Sequence, residues 1–252
     1  MADLHQLDTA PTLVFVHGVL DDAAIWRGVT SALQVPPSEV VAVDLAGMSG
    51  RPGEPGPYSL DGYAKDVAAV LDVISGPVVL IGHSMGAQIV ELAAIARPDK
   101  VIGLVLIAPI PLAGAQLPEE AVAPFKSVGG NVEALRGLRL QASPGFPEPE
   151  LTRISDAGGK IAPTAVAEFT DLWNAGVPRG REESAFSGPV LVIRGEVDPL
   201  ASGDLIEAGV AHRFGGATVD TVAGAGHWIH AEQPATVAGL LAHFVAASKL
   251  TR

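Results

Sequence analysis

The sequence predicts a single α/β domain on a mostly parallel, twisted sheet, with helices covering both faces. Short continuous runs of Val, Ile and Leu recur along the chain, helical segments separate them, and Gly- and Pro-rich turns bound them. Continuous apolar runs are typical of strands that are buried on both faces of a parallel sheet. Strands that alternate with helices indicate right-handed βαβ units.

The apolar runs predict about six strands. They cover residues 12–16, 39–43, 77–81, 101–107, 189–193 and, more weakly, 217–222. Apolar residues at helical spacing predict helices over 60–74, 86–96 and 233–248.

One long interval separates the fourth run from the fifth. It spans about 80 residues, and a structureless loop of that length is uncommon in a compact domain. Helical stretches are expected at 119–128, 131–141 and 163–175, with breaks at 144–147 and 157–159. We therefore predict one domain over residues 1–252, with a helical cap insertion at 110–188. Open α/β sheets bind ligands at the carboxyl ends of their strands, and we expect the insertion to cover that edge.

Composition and charge exclude several classes of function. The chain is 48% hydrophobic and 17% charged, which favours a folded core over disorder. Its net charge of −12 argues against nucleic-acid partners and anionic membranes. It contains no cysteine, which excludes disulfides, thiolate metal sites and a Cys nucleophile. Neither a signal peptide nor a membrane helix is visible, so we expect a soluble cytoplasmic protein. Oligomeric state is not predicted.

The strongest chemical signal is Gly82-His83-Ser84-Met85-Gly86, which follows a strand run and precedes a helix. A G-x-S-x-G sequence in that context indicates a nucleophile elbow, a sharp turn that projects the serine from the top of the sheet. The backbone N–H of Met85 would then lie at the helix start, where it can stabilise an oxyanion. Ser84 is the candidate nucleophile.

A serine nucleophile needs a base, and the base needs an acid that orients it. His227 lies in a Gly-rich loop between the last strand run and the closing helix, where it can reach Ser84. Asp198 follows the run at 189–193 and can reach His227. His230 is the competing base, and the His-x-x-His spacing is a weak metal signal with no evident third ligand. We predict no metal, and a local hydrogen bond for His230.

The first strand run ends in His17-Gly18-Val19-Leu20. A glycine there lets the backbone turn over the crevice, so that the N–H of Val19 can supply a second oxyanion donor. His17 is expected to be structural. The expected wall of an apolar substrate pocket consists of Leu20, Ile110, Phe125, Phe146, Trp173 and Trp228.

Together these motifs, in the chain order Ser, Asp, His, resemble the α/β-hydrolase superfamily over nearly the whole chain. Within it, the chain looks like small bacterial carboxylesterases and cofactor-free haloperoxidase-type perhydrolases. The short segment before Thr12 implies that the amino-terminal hairpin is reduced. Leu20 stands where haloperoxidase-type members often carry Pro, which makes perhydrolase activity a weaker expectation than ester hydrolysis. Ser84 stands where epoxide hydrolases and haloalkane dehalogenases use Asp, which argues against both chemistries.

The expected activity is hydrolysis of carboxylic esters of small to medium apolar acids through an acyl-enzyme. The substrate would be a small-molecule ester, and no cofactor is required. Four alternatives with the same three residues stay open: perhydrolysis, lactone opening, acyl transfer and carbon–carbon bond hydrolysis. A non-catalytic, ligand-binding protein of the same fold is a further alternative, because fold alone does not prove activity.

Overall fold

The computed structural model describes residues 10–33 and 39–247 and has the predicted fold class. Its strands are β1 (Thr12–Val16), β2 (Val40–Val43), β3 (Val78–His83), β4 (Val101–Ile107), β5 (Val190–Gly195) and β6 (Thr218–Val222). They form one parallel sheet in the order β2-β1-β3-β4-β5-β6. The strand order reverses between β1 and β3, and the carboxyl ends of strands at such a switch point are where these sheets bind ligands.

Helices connect the strands. They are α1 (Arg27–Leu33), α2 (Leu60–Val73), α3 (Met85–Ala96), α4 (Glu119–Lys126), α5 (Val132–Ala142), α6 (Glu148–Gly158), α7 (Pro163–Ala175), α8 (Gly203–Gly209), α9 (Ile229–Glu232) and α10 (Pro234–Ala247). Within the described residues, no helix combines the length and apolar character that a membrane span requires.

The core lies at β3 and α3. Every residue of β3 is buried, and α3 is buried from Met85 to Ala94. A helix that is buried on nearly every side must have neighbours around it, which places α3 in the centre of the molecule. The nucleophile elbow joins these two elements, so Ser84 is carried by the most constrained part of the fold.

The structure differs from the sequence prediction at several elements. Helix α6 occupies an interval for which no helix was predicted, because its bounding Pro and Gly residues suggested breaks. Pro149 lies in its first turn, where a proline is tolerated since that N–H needs no helical partner. Helices α1, α8 and α9 were also not predicted. Strand β3 extends beyond residue 81, because Gly82 and His83 still pair with β4.

Two predictions concern residues outside the described ranges. The reduced amino-terminal hairpin concerns the segment before Thr12, of which residues 1–9 are not described. The predicted end of the last helix at Ser248 also lies outside, since the described helix α10 extends to Ala247.

Candidate active site

Ser84 occupies the tight turn between β3 and α3. Its backbone has φ 53° and ψ −119°, a conformation that non-glycine residues rarely adopt and that costs free energy. Its N–H donates to Ile107 O at 3.0 Å, and its carbonyl accepts from Ala87 N at 3.0 Å. These bonds, together with the elements on either side, hold the serine at the carboxyl edge of the sheet.

The two glycines of the elbow are required by close backbone packing. A Cβ on Gly82 would lie 2.4 Å from the Gly86 carbonyl oxygen. A Cβ on Gly86 would lie 2.5 Å from Val16 O, at the end of β1. Neither backbone neighbour can move without displacing a central element, so the motif tolerates no larger residue at these two positions.

The structure brings together the three side chains that the sequence singles out. His227 Nε2 lies 3.0 Å from Ser84 Oγ, and His227 Nδ1 lies 2.8 Å from Asp198 Oδ2. All three residues are buried. A carboxylate accepts the Nδ1–H, which leaves Nε2 as an acceptor for the Ser84 hydroxyl proton. This tautomer is the one that a general base needs.

Asp198 is held by its own loop as well as by His227. Its Oδ1 accepts from Leu200 N at 2.8 Å and from Ala201 N at 3.1 Å. Burial alone raises the pKa of Asp198. The charge and hydrogen bond of His227, with the two backbone donors, outweigh burial and hold that pKa below its usual value of 3.8. The carboxylate therefore stays ionised at neutral pH.

The His227 loop (residues 223–228) is fastened to helix α5. His227 N donates to Ala142 O at 2.9 Å, and Trp228 N donates to Ser143 Oγ at 2.7 Å. A Cβ on Gly226 would lie 2.2 Å from Ala142 O, so the loop and the end of α5 make direct backbone contact. The insertion thus helps to position the imidazole.

The two candidate oxyanion donors have free N–H groups. Among the described residues, no acceptor is found for the N–H of Val19 or of Met85. The Gly18 turn (residues 18–20) packs against the elbow, since a Cβ on Gly18 would lie 3.2 Å from Ser84 Cβ. Both donors therefore lie on segments that adjoin the serine.

In the described part of the chain, the His17 ring hydrogen-bonds to backbone groups only. Its Nδ1–H donates to Gly18 O at 2.8 Å, and its Nε2 accepts from Leu45 N at 3.1 Å. Both ring nitrogens are used, and the ring links the ends of β1 and β2. These contacts agree with the structural role that the sequence predicts for His17.

A buried ion pair beside the site was not found by sequence reasoning. Asp21 and Arg139 are fully buried, with Asp21 Oδ1 2.8 Å from Arg139 Nη2. Trp228 Nε1 donates to Asp21 Oδ2 at 2.8 Å, and Arg139 Nη2 also donates to Leu20 O at 2.9 Å. The pair therefore joins the Gly18 turn, the His227 loop and α5. In the sequence, the only sign that Asp21 belongs to the site is weak: it directly follows the Gly18 turn. No sequence pattern links Asp21 to Arg139, which lies 118 positions further along the chain.

The predicted hydrogen bond of His230 is wrong. Both of its ring nitrogens are buried and lack a partner in the described part of the chain. Its ring stacks on Trp26 with centroids 4.4 Å apart, so packing against an aromatic ring replaces the expected polar contact. Burial is the largest cause that lowers its pKa, to about 3, and the ring is neutral.

One set of side chains has the spacing of metal ligands. Ligand atoms of Asp21, His83 and His230 lie within 4.8 Å of one another, all buried. His83 Nε2–H donates to His227 O at 3.1 Å, and burial is the first cause that lowers the pKa of His83 well below 6.5. Arg139 and the Trp228 indole already occupy the Asp21 carboxylate, so a cation would have to compete with a buried guanidinium. The set does not fit a resident metal.

A small cavity of about 30 Å³ lies between the insertion and the Gly18 turn. Four of the six predicted pocket residues line it, namely Leu20, Phe125, Trp173 and Trp228. Ile110 and Phe146 do not. Ile110 is buried in the core cluster, and Phe146 packs its ring on Trp228 with centroids 5.8 Å apart. Ile110 and Phe146 are not among the residues that line this cavity, so their place in a substrate pocket stays a prediction.

Most of the residues that the insertion contributes to the lining of this cavity were not predicted from the sequence. The remaining lining residues are Val19, Val128, Leu135, Leu138, Arg139 and Thr170. Apart from Val19, they lie on or next to α4, α5 and α7. These helices therefore lie beside the Gly18 turn.

Comparison with known proteins identifies the family. A profile described as "Alpha/beta hydrolase family" matches residues 13–240. The chain is 31% identical over 199 residues to "Lipase LipV" of Mycobacterium tuberculosis, covering 75% of this chain and 69% of that protein. It is 24% identical to "sn-1-specific diacylglycerol lipase ABHD11" of Mus musculus, over 94% of this chain and 82% of that protein.

A solved structure has the same fold. The bromoperoxidase from Bacillus anthracis superposes with a TM-score of 0.83 at 18% identity, covering 94% of this chain and 92% of that one. At that identity the likeness speaks for the fold alone, whereas the lipase relatives also support hydrolase activity. The chain belongs to the alpha/beta hydrolase family.

Proposed function

We propose that this protein is a carboxylesterase that hydrolyses neutral esters through an acyl-enzyme on Ser84. The observation that carries the proposal is the unbroken hydrogen-bonded chain from Ser84 Oγ through His227 to Asp198. Such a chain turns a weak hydroxyl into a nucleophile. The two lipase relatives fit ester chemistry.

In the proposed reaction, Ser84 Oγ attacks the ester carbonyl carbon while His227 Nε2 takes the hydroxyl proton. The N–H groups of Val19 and Met85 bind the oxyanion of the tetrahedral intermediate. His227 then gives its proton to the departing alkoxide, which leaves as the alcohol. Asp198 orients the imidazole and stabilises its charged form. Water, deprotonated by His227, attacks the acyl-enzyme and releases the acid.

The cavity supports neutral, apolar acyl groups. Its lining is mostly aliphatic and aromatic. The one cation among the lining residues, Arg139, is bound to Asp21, so its charge is not available to a substrate carboxylate. A charged acyl group would have to enter this cavity without a counter-ion, which is costly.

Steady-state hydrolysis of p-nitrophenyl esters tests the proposal. We expect Ser84→Ala and His227→Ala to lower kcat by about 10⁴–10⁶-fold, because the nucleophile and the base act as one unit. Ser127→Ala and His212→Ala are matched controls at exposed positions and should retain full activity. Full activity in folded Ser84→Ala would overturn the proposal.

Two of the four alternatives that share these residues are tested on the same enzyme. Peracid formation from acetate and hydrogen peroxide reports perhydrolysis, and opening of a simple lactone reports lactonase activity. We expect hydrolysis of open-chain esters to exceed both in kcat/KM. A folded wild-type protein that binds esters without turnover would instead favour the non-catalytic alternative.

A further inference from the structure

We propose that the cavity between the insertion and the Gly18 turn is the acyl-binding site and that it admits only short acyl groups, of about two to four carbons. The inference rests on the proposed ester hydrolysis and names its substrate class.

The size of the cavity sets the first limit. Its volume is about 30 Å³. One water-sized atom needs about 10–15 Å³, so the cavity holds two or three non-hydrogen atoms. With the carbonyl group at Val19 N–H, that space accepts the tail of a propionyl or butyryl group. A longer tail would have to displace packed side chains of the insertion.

The position of the cavity favours the acyl group over the alcohol. Residues on or next to α4, α5 and α7 line it on one side, and Val19, Leu20 and Trp228 line it on the other. The alcohol leaves before water attacks the acyl-enzyme, whereas the acyl group stays on Ser84 until the last step. A cavity lined by Val19, which carries a candidate oxyanion donor, suits the group that stays on Ser84.

Helix α5 cannot easily move back to enlarge the cavity, because two sets of contacts fix it. At Arg139 it is tied to Asp21 and to Leu20 O by a fully buried guanidinium. At its end, Ala142 O accepts from His227 N. Moving α5 outward would leave a charge buried without its partner and would also shift the imidazole. The cavity size is therefore fixed by the same contacts that hold the site.

Leu135 and Leu138 of α5 line the cavity and should set the length limit. Changing either to Ala removes three carbon atoms from the wall. Leu140 lies on the same helix but outside the lining, with 37% of its surface exposed, and Leu140→Ala is the matched control. Two lining variants are included in case one of them does not fold.

The experiment measures kcat/KM for p-nitrophenyl acetate, butyrate, hexanoate and octanoate. We expect wild type to prefer acetate and butyrate. In Leu138→Ala or Leu135→Ala, the hexanoate-to-butyrate ratio should rise by about fourfold for each methylene that now fits. Leu140→Ala should leave the ratio unchanged. A parallel series of alkyl acetates, from ethyl to hexyl, should show little dependence on length.

Each contrary outcome identifies what has failed. A wild type that prefers octanoate overturns the short-acyl inference and leaves ester hydrolysis standing. A length dependence in the alkyl acetates alone overturns the assignment of the cavity to the acyl group. An unchanged ratio in both folded lining variants overturns the role of α5. No turnover of any ester, with Ser84 unreactive, overturns the proposed function itself.

Discussion

Removal of the buried Arg139 guanidinium should destabilise the protein strongly. Arg139→Met keeps much of the side-chain volume but leaves the fully buried Asp21 without its cation. Breaking one side of a buried ion pair costs about 3–5 kcal/mol. In a domain of this size each kcal/mol lowers Tm by about 2–4 °C, so we expect a loss of about 6–20 °C.

A double-mutant cycle separates charge pairing from packing. Asp21→Asn keeps an acceptor for Trp228 Nε1 and removes the negative charge. We expect the double variant Asp21→Asn/Arg139→Met to be more stable than Arg139→Met alone by about 1–3 kcal/mol, measured by urea unfolding. If the double variant instead loses as much free energy of unfolding as the two single variants lose together, the ion-pair reasoning is refuted.

The pH dependence of Arg139→Met provides an independent check. Burial already raises the pKa of Asp21, and loss of the guanidinium should raise it further. A carboxyl whose pKa is higher in the folded than in the unfolded state lowers the free energy of unfolding when the pH is above the folded pKa. That stability returns as the pH falls towards the pKa of the unfolded state. The stability deficit of the variant relative to wild type should therefore shrink as the pH falls towards the unfolded pKa of 3.8. A constant deficit would contradict an ionised Asp21.

Four further predictions concern single positions. Gly82→Ala should cost about 1–3 kcal/mol and impair Ser84, because its Cβ would lie 2.4 Å from the Gly86 oxygen. Gly239→Ala, where a Cβ meets open space, should instead gain about 0.5–1 kcal/mol in thermal melts. His230→Phe should make the stability of the protein less sensitive to acid, because burial lowers the pKa of His230 from 6.5 to about 3. The free energy of unfolding of wild type should therefore fall by up to about 1.4 kcal/mol per pH unit as the pH falls below 6.5, the pKa of His230 in the unfolded chain. Urea unfolding at several pH values measures this slope, and equal slopes in wild type and His230→Phe would contradict the prediction. Asp198→Asn should lower kcat about 10⁴-fold. Because the pKa of Asp198 in the folded protein is below 3.8, the ionised carboxylate stabilises the fold at pH values above 3.8. The difference in Tm between wild type and Asp198→Asn should therefore become smaller as the pH falls below that value.

The fold could be predicted from the sequence because its signals are local. Continuous aliphatic runs mark five strands, and their alternation with helices dictates a parallel sheet. The elbow is likewise local, since two glycines flank Ser84 between a strand and a helix. Asp198 and His227 follow strands whose carboxyl ends share one edge, so topology brings them to Ser84.

The remaining features of the site depend on contacts between distant segments. Arg139 meets Asp21 only because α5 folds back over the Gly18 turn. His230 looks from the sequence like a polar residue in need of a bond, yet it stacks on Trp26. Ile110 and Phe146 are apolar residues that could line a pocket or fill the core with equal ease. No local pattern distinguishes these outcomes, since packing of the insertion decides them.

The central claim is that Ser84 is a nucleophile activated by His227. The most direct test is to treat the folded protein with a fluorophosphonate probe and map the adduct by peptide mass spectrometry. The account predicts a single adduct on Ser84, no labelling in Ser84→Ala, much slower labelling in His227→Ala, and an unchanged rate in His212→Ala. Labelling elsewhere, no labelling of folded wild type, or an equal rate in His227→Ala would contradict it.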